Sequence, residues 1–265
     1  MFTLTEIRPP VNIPDAEYLR LLGYPKNRSL EGRARELADS AQQWFAENGR
    51  PWILARECSS LEWNGEQLRL AGMEVSSRRL REVFSASGAH SVVLLAVSAG
   101  KECEEHAKKL WEAEKPDEYY FLESYGSAVV EQLVMLANGR ICGWADANRM
   151  AALPHFSPGY AGWNIAGQVP LWELFRRQFA AGFPGELDVL ESGMLRPKKS
   201  QLAVIGLTRD LDKAARLQSL IPCEQCPMPN CRFRRAPFKR HRARLETPAA
   251  RRAYDFPRAR RTALF

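Results

Sequence analysis

Two groups of residues in this chain could do chemistry by type and spacing. The first is a turn, Pro154-His155-Phe156-Ser157-Pro158-Gly159-Tyr160-Ala161-Gly162-Trp163. Proline presets φ and glycine permits φ > 0, so such a turn has a fixed shape that brings backbone close to whatever lies beside it. Aromatic and polar groups packed around it could line a small-molecule pocket. The residues alone equally allow an ordinary rigid connection. The second group is Cys223-Glu224-Gln225-Cys226-Pro227-Met228-Pro229-Asn230-Cys231, three soft ligands within nine residues. Cys-x-x-Cys is a good chelate turn for zinc or for an iron–sulfur cluster, and the prolines at 222, 227 and 229 stiffen it. A closed zinc site wants a fourth ligand, from His241 or another cysteine. A four-iron cluster could use the three cysteines and leave one iron open. Without metal, the same residues read as a reduced thiol triplet or a redox-sensing pair, and Arg232, Arg234 and Arg235 favour thiolates in every case. The remaining cysteines, Cys58, Cys103 and Cys142, sit in apolar or mixed contexts and read as buried thiols.

The elements that must position these groups follow from periodicity. A short helix is expected over 15–23, capped by Asp15 and ended by Gly23. A longer one over 30–47 carries Leu37, Ala41, Trp44 and Phe45 on one face. Residues 52–75 read as β structure, with a strand over 52–56 and a hairpin around Asn64-Gly65. A helix over 77–85 turns Leu80, Val83 and Phe84 inward. The continuous apolar run from His90 to Ser98 reads as a buried strand. Helices follow over 101–113 and 117–138, the second ended by Asn138-Gly139, with Tyr120, Leu122, Val129, Val130, Leu133 and Leu136 inward. Its small residues Ser124, Gly126, Ser127 and Ala128 allow close packing or leave room for a ligand. Beyond the turn, a helix over 168–181 and strands over 187–190 and 201–207 complete a body that ends near residue 220. Long helices with strands that do not strictly alternate make the fold class α+β. The expected organisation is a body over 1–220, a cysteine-cluster segment over 221–235 and a basic, disordered tail over 236–265.

Composition narrows the classes. Hydrophobic residues make up 45% and charged residues 26%, ordinary values for a folded globular chain and too apolar for a disordered one. The longest apolar run, Val92 to Val97, is far too short to span a membrane. The N-terminus lacks the basic start and apolar core of a secretory signal, so the cytoplasm is the expected address. The net charge of +7 is unevenly spread: from Arg232 to Phe265 there are twelve Lys and Arg against two acids, which leaves the other 231 residues at −3. A mildly acidic body with a basic tail suggests an anionic surface as the tail's contact.

The order of these motifs resembles the activation domain of cobalamin-dependent methionine synthase, and more nearly its small stand-alone relatives. Phe156-Ser157-Pro158-Gly159-Tyr160 looks like that family's S-adenosylmethionine (AdoMet) motif of an arginine, three residues, then Gly-Tyr. Glu191-Ser192, with Met194, Pro197 and Ser200, is similar to its Thr-Glu-Ser … Pro … Ser segment. Leu19-Arg20 with Leu22-Gly23-Tyr24 is a third match. A fourth is the stretch from Glu123 to Glu131 with Gly126-Ser127, which fits the family's ligand-side helix. The cysteine cluster followed by Arg232 and Arg234 looks like the tail of stand-alone members. The likeness covers roughly residues 15–235. One departure stands out: the family's motif arginine falls on His155, and a neutral imidazole cannot hold a carboxylate bidentately as a guanidinium does.

The resemblance implies a C-shaped domain with a central, largely antiparallel twisted sheet and long helices. It implies AdoMet binding, with cobalamin carried by a partner, a corrinoid-binding methyltransferase of methionine biosynthesis. When the cobalt is oxidised to cob(II), a reductant such as flavodoxin or ferredoxin supplies an electron, and the AdoMet methyl traps cob(I) as methylcobalamin. The residues carried over as cofactor-binding are Glu131, His155, Pro158, Gly159, Tyr160 and Glu191. Tyr160 would face the sulfonium by cation–π attraction, worth about 0.5–2 kcal/mol. Gly159 would allow close backbone approach, and Glu131 would accept from the amino group. Glu191 would touch the ligand or fix the loop before Pro197. Two other readings remain: a non-catalytic interaction protein with a degenerate AdoMet site, and a metal or iron–sulfur redox protein centred on Cys223, Cys226 and Cys231.

Overall fold

The computed structural model describes residues 1–25, 29–59, 61–64 and 67–218. In chain order the first half contains β1 (Thr3–Ile7), α1 (Asp15–Leu21), α2 (Gly32–Asn48), β2 (Trp52–Cys58), β3 (Leu61–Asn64), β4 (Gln67–Leu70), β5 (Met73–Glu74), α3 (Arg78–Ser87) and β6 (Ser91–Ser98). The second half contains α4 (Lys101–Glu112), α5 (Pro116–Ala147), β7 (Ala151–Ala152), a 3-10 turn (Ile165–Gly167), α6 (Gln168–Gln178), β8 (Asp188–Val189), β9 (Leu195–Arg196), β10 (Ser200–Thr208) and α7 (Leu211–Gln218).

The main sheet has the order β1-β2-β6-β10-β7, and every neighbouring pair is antiparallel. Strand β6 is buried along its whole length. An unbroken apolar run is usual where helices cover both faces of a sheet, and here both faces are covered. Successive side chains point to opposite faces, so the register sorts them. Ile53, Ala55, Val93, Leu95, Val97, Ala203 and Ile205 join a core with the inner faces of α1, α2, α4 and α5. Trp52, Leu54, Val92, Leu94, Ala96, Leu202 and Val204 join a second core with α3, α6 and the β3–β4 hairpin. The fold is therefore α+β, a largely antiparallel sheet between two helical layers.

Local chemistry explains most element boundaries. Ser77 caps α3 by accepting from the Leu80 N–H at 3.1 Å, and Gly88 closes it in the left-handed region. Helix α1 ends in a Schellman pair, with the Gly23 N–H donating to Arg20 O and the Tyr24 N–H to Leu19 O. The expectation that Asp15 caps it is corrected: Asp15 is its first helical residue, and the cap is Pro14, whose carbonyl takes the N–H groups of Glu17 and Tyr18. The β3–β4 register pairs Asn64 with Gln67, which leaves two residues for the tip, and that tip lies outside the described residues.

Three further expectations are corrected. Asn138-Gly139 does not end a helix; α5 runs for 32 residues to Ala147. Ile141 and Ala145 prolong the buried stripe of Leu133, Val134 and Ala137, and that burial outweighs the roughly 1 kcal/mol a mid-helix glycine costs. Tyr120 faces outward, at 48% exposure, while its neighbours Phe121 and Leu122 turn in. Cys142 is exposed on α5, whereas Cys58 and Cys103 are buried as expected. Strand β1, the short β7 and β9, and α7 were not legible in advance, whereas β5 falls within the expected β structure of 52–75. No helix among the described residues is long and apolar enough to cross a membrane. The cysteine-cluster segment and the basic tail lie outside the described residues, so Cys223, Cys226, Cys231 and His241 have no structural account.

Candidate functional site

The turn at 154–163 is fastened to the sheet before it reaches the surface. The Leu153 N–H donates to Gly206 O at 2.8 Å, and Phe156 and Val204 exchange both backbone hydrogen bonds at 2.9 and 2.8 Å. Three further bonds close the turn on itself: Tyr160 N–H to Ser157 O, Gly159 N–H to Trp163 O and Trp163 N–H to Tyr160 O. Gly159 sits at φ 94°, a left-handed conformation that glycine adopts without strain. Trp163 is buried beneath and anchors the loop, while the Ser77 hydroxyl donates to Gly162 O at 3.0 Å.

The facing wall is the connection from β8 to β10. The Leu190 N–H donates to Met194 O and the Gly193 N–H to Leu190 O, both at 2.8 Å. A Cβ on Gly193 would lie 2.8 Å from Ile165 O, so only glycine lets this loop seat against the 3-10 turn. Between the two walls is a cavity of about 250 Å³, lined by apolar side chains of Pro158, Ile165, Met194, Leu195 and Leu202. Its polar lining comes from Ser157, Tyr160, Gln168, Lys198, Ser200 and Gln201.

A hydrogen-bond network holds the polar side in place. His155 lies between two partners, Asn138 Nδ2 at 3.2 Å from its Nδ1 and the Tyr160 hydroxyl at 3.0 Å from its Nε2. Gln201 Nε2 donates to Ser157 Oγ at 2.8 Å and to Tyr160 Oη at 3.1 Å. Tyr160 is thus tied to the turn through His155 and to β10 through Gln201. Below this, Glu123 on α5 pairs with Lys198 at 3.0 Å and Lys199 at 3.1 Å, and Lys199 also donates to Ser127 Oγ at 2.8 Å. Burial pulls the Lys198 ammonium down, but the hydrogen bond and charge of Glu123, joined by Tyr119 and Glu104, together outweigh it and the net shift is upward. Of the small residues of α5, Gly126 serves close packing: a Cβ there would meet Cys103 Sγ at 2.8 Å and Lys199 Cγ at 3.2 Å. Burial raises the Cys103 thiol to about 12, so it is no nucleophile at neutral pH.

The residues proposed from sequence fall in different places. Pro158 and Tyr160 line the cavity. His155 stands behind Tyr160 rather than in the lining, and Gly159 is exposed at the apex of the turn. Glu131 pairs with Arg20 at 2.6 Å, and Glu17 completes that cluster at 2.8 Å. Burial pulls Arg20 down, but Glu131 and Glu17 hold its pKa above the ordinary value. Glu191 is exposed in the loop between β8 and β9. Gln168, Lys198 and Gln201 went unnoticed in the sequence. The available signal was a polar residue interrupting apolar surroundings: Gln168 opens a mostly apolar helical turn, and Gln201 precedes the run from Leu202 to Leu207. No group of three or more metal-ligating side chains occurs among the described residues.

No family model matches the chain, and no curated protein does. Among solved structures it is similar to the crystal structure of the MetH reactivation domain bound to AdoHcy, with a TM-score of 0.49 and 13% sequence identity. The match covers 65% of this chain and 65% of that one, so the chain spans a little less than two thirds of its length.

Proposed function

We infer that this chain binds S-adenosylmethionine between the 154–163 turn and the 190–200 loop, and serves as a reactivation protein for a corrinoid on a partner methyltransferase. The observation that carries the binding claim is Tyr160, which lines the cavity and is tied by its hydroxyl to His155 and Gln201. A ring fixed in this way supplies a π surface for a sulfonium without losing rotamer freedom on binding.

Two further demands of AdoMet, those of the adenine and the carboxylate, are met by the same lining. A flat adenine wants apolar walls, and Pro158, Ile165, Met194, Leu195 and Leu202 supply them. A carboxylate wants a cation. With His155 engaged between Asn138 and Tyr160, Lys198 is the lining residue that offers one. The volume, about 250 Å³, falls just under the roughly 300–1,000 Å³ of pockets that enclose a drug-sized ligand. A ligand only partly enclosed keeps its methyl group accessible to a second protein. AdoMet would supply an electrophilic methyl group; the chain's part is to bind and orient it. The corrinoid-bearing partner, and a reductant such as flavodoxin or ferredoxin, belong to this proposal through the ordered motifs from Leu19 to Ser200.

Calorimetric titration of the full chain with AdoMet tests the reading, with micromolar binding expected. No binding would overturn it. The second reading, a non-catalytic interaction protein with a degenerate ligand site, is favoured by one observation. Both ring nitrogens of His155 are taken up within the fold, at the position where the resembling family keeps an arginine for the ligand.

A further inference from the structure

Among the described residues, four buried side-chain atoms have neither a hydrogen-bond nor an ion-pair partner: Trp52 Nε1, Arg56 Nε, Glu102 Oε2 and Gln168 Oε1. Only Gln168 also lines the cavity. The residue is 4% exposed, and its buried amide oxygen has no protein partner among the described residues. Buried amides are ordinarily satisfied, and one left open beside a cavity points to a group that is to arrive. Its base is rigid. A Cβ on the preceding Gly167 would lie 2.4 Å from Trp163 Nε1, so the backbone there is pressed onto a buried indole.

The surroundings select the arriving group. No lining residue is acidic, and Lys198 contributes a positive charge, so a ligand ammonium has no counter-charge here. A neutral donor on a flat, apolar body suits the site better. An amide presents one acceptor and one donor in a plane, which matches an edge with a donor and an acceptor side by side. The 6-amino group of adenine beside a ring nitrogen is such an edge. The last side-chain torsion of glutamine is broad and two-fold, so the amide turns to meet the ring at little cost.

We propose that Gln168 is a ligand-binding residue that reads the adenine edge, accepting from the 6-amino group and donating to the adjacent ring nitrogen. This rests on the AdoMet-type reading of the cavity and adds the residue that sets its base specificity. Nothing in the motifs from 154 to 163 or from 190 to 200 contains it.

The test is a pair of titrations on the full chain, wild type beside Gln168→Leu. One ligand is S-adenosylhomocysteine; the other is its analogue with hydrogen in place of the 6-amino group. Wild type is expected to prefer the amino ligand by about ten-fold. Gln168→Leu should bind both at the weaker level. The isosteric Gln168→Glu keeps the acceptor and should keep the preference, which guards against a leucine variant that fails to fold. Wild type binding both ligands equally, a leucine variant that retains the preference, or a folded glutamate variant that loses it would each overturn the assignment while leaving the cavity reading intact. If neither ligand binds wild type, the cavity reading falls and the assignment falls with it.

Discussion

His155 Nε2 and the Tyr160 hydroxyl lie 3.0 Å apart across the turn, and this contact ties the imidazole to the tyrosine that lines the cavity. The imidazole's other nitrogen meets Asn138 on α5 at 3.2 Å. The histidine thus links the turn to the longest helix. It positions Tyr160 at the wall of the cavity.

The ring and the hydroxyl of Tyr160 can be separated by substitution. Tyr160→Ala removes the π surface and should weaken AdoMet binding by about two- to thirty-fold, the equivalent of about 0.5–2 kcal/mol. Tyr160→Phe keeps the ring and frees His155 and Gln201, so its loss should be the smaller. Calorimetry on both variants checks the order; an equal loss in the two would place the effect on the hydroxyl network.

His155→Arg should strengthen AdoMet binding by several-fold, because a guanidinium holds a carboxylate bidentately where an imidazole cannot. The substitution also gives up the bonds to Asn138 and Tyr160, so a lower melting temperature should accompany it. Unchanged or weaker binding would show that the side chain at 155 never reaches the ligand.

Two glycines on α5 should respond oppositely to alanine. At Gly126 a methyl would meet Cys103 Sγ at 2.8 Å inside a packed core, and overpacking of that kind costs about 1–3 kcal/mol. At Gly139 nothing lies within 4 Å of the added Cβ, so Gly139→Ala should stabilise the helix by about 0.5–1 kcal/mol. Urea unfolding of the two variants measures both signs.

Burial raises Cys103 from 9.0 to about 12 in the folded chain. A raised folded pKa contributes stability that is complete below the unfolded value and lost as pH climbs towards the folded one. Between about pH 9 and 12 the wild type should therefore lose stability more steeply than Cys103→Ser, by up to about 1.4 kcal/mol per pH unit. Unfolding curves across that window read the difference. Alkylation followed by peptide mapping gives an independent check: Cys142 is exposed and should be labelled in the folded chain, while Cys103 should not.

The sequence by itself determined the pieces whose signals are local. Ser77 and Gly88 bound α3, the apolar run at 91–98 gives the central strand, and Asn64 before a glycine gives the hairpin between β3 and β4. It also singled out the 154–163 turn, since prolines and glycines fix backbone shape wherever they stand. Distant partners were beyond its reach. Whether α5 stopped at Gly139 depended on what Ile141 and Ala145 would bury, a matter of packing. Strand β1 alternates partly buried with exposed residues and owes its conformation to pairing with β2, 49 positions away in the Thr5–Leu54 register. The site divides in the same way. Tyr160 was legible because its motif is contiguous. Gln201, Lys198 and Gln168 entered the cavity only when the sheet, the 190–200 loop and α6 were brought together. Glu131 was met by Arg20 from a helix more than a hundred residues earlier. A side chain's period or motif says which way it points; only the packed chain decides what it meets there.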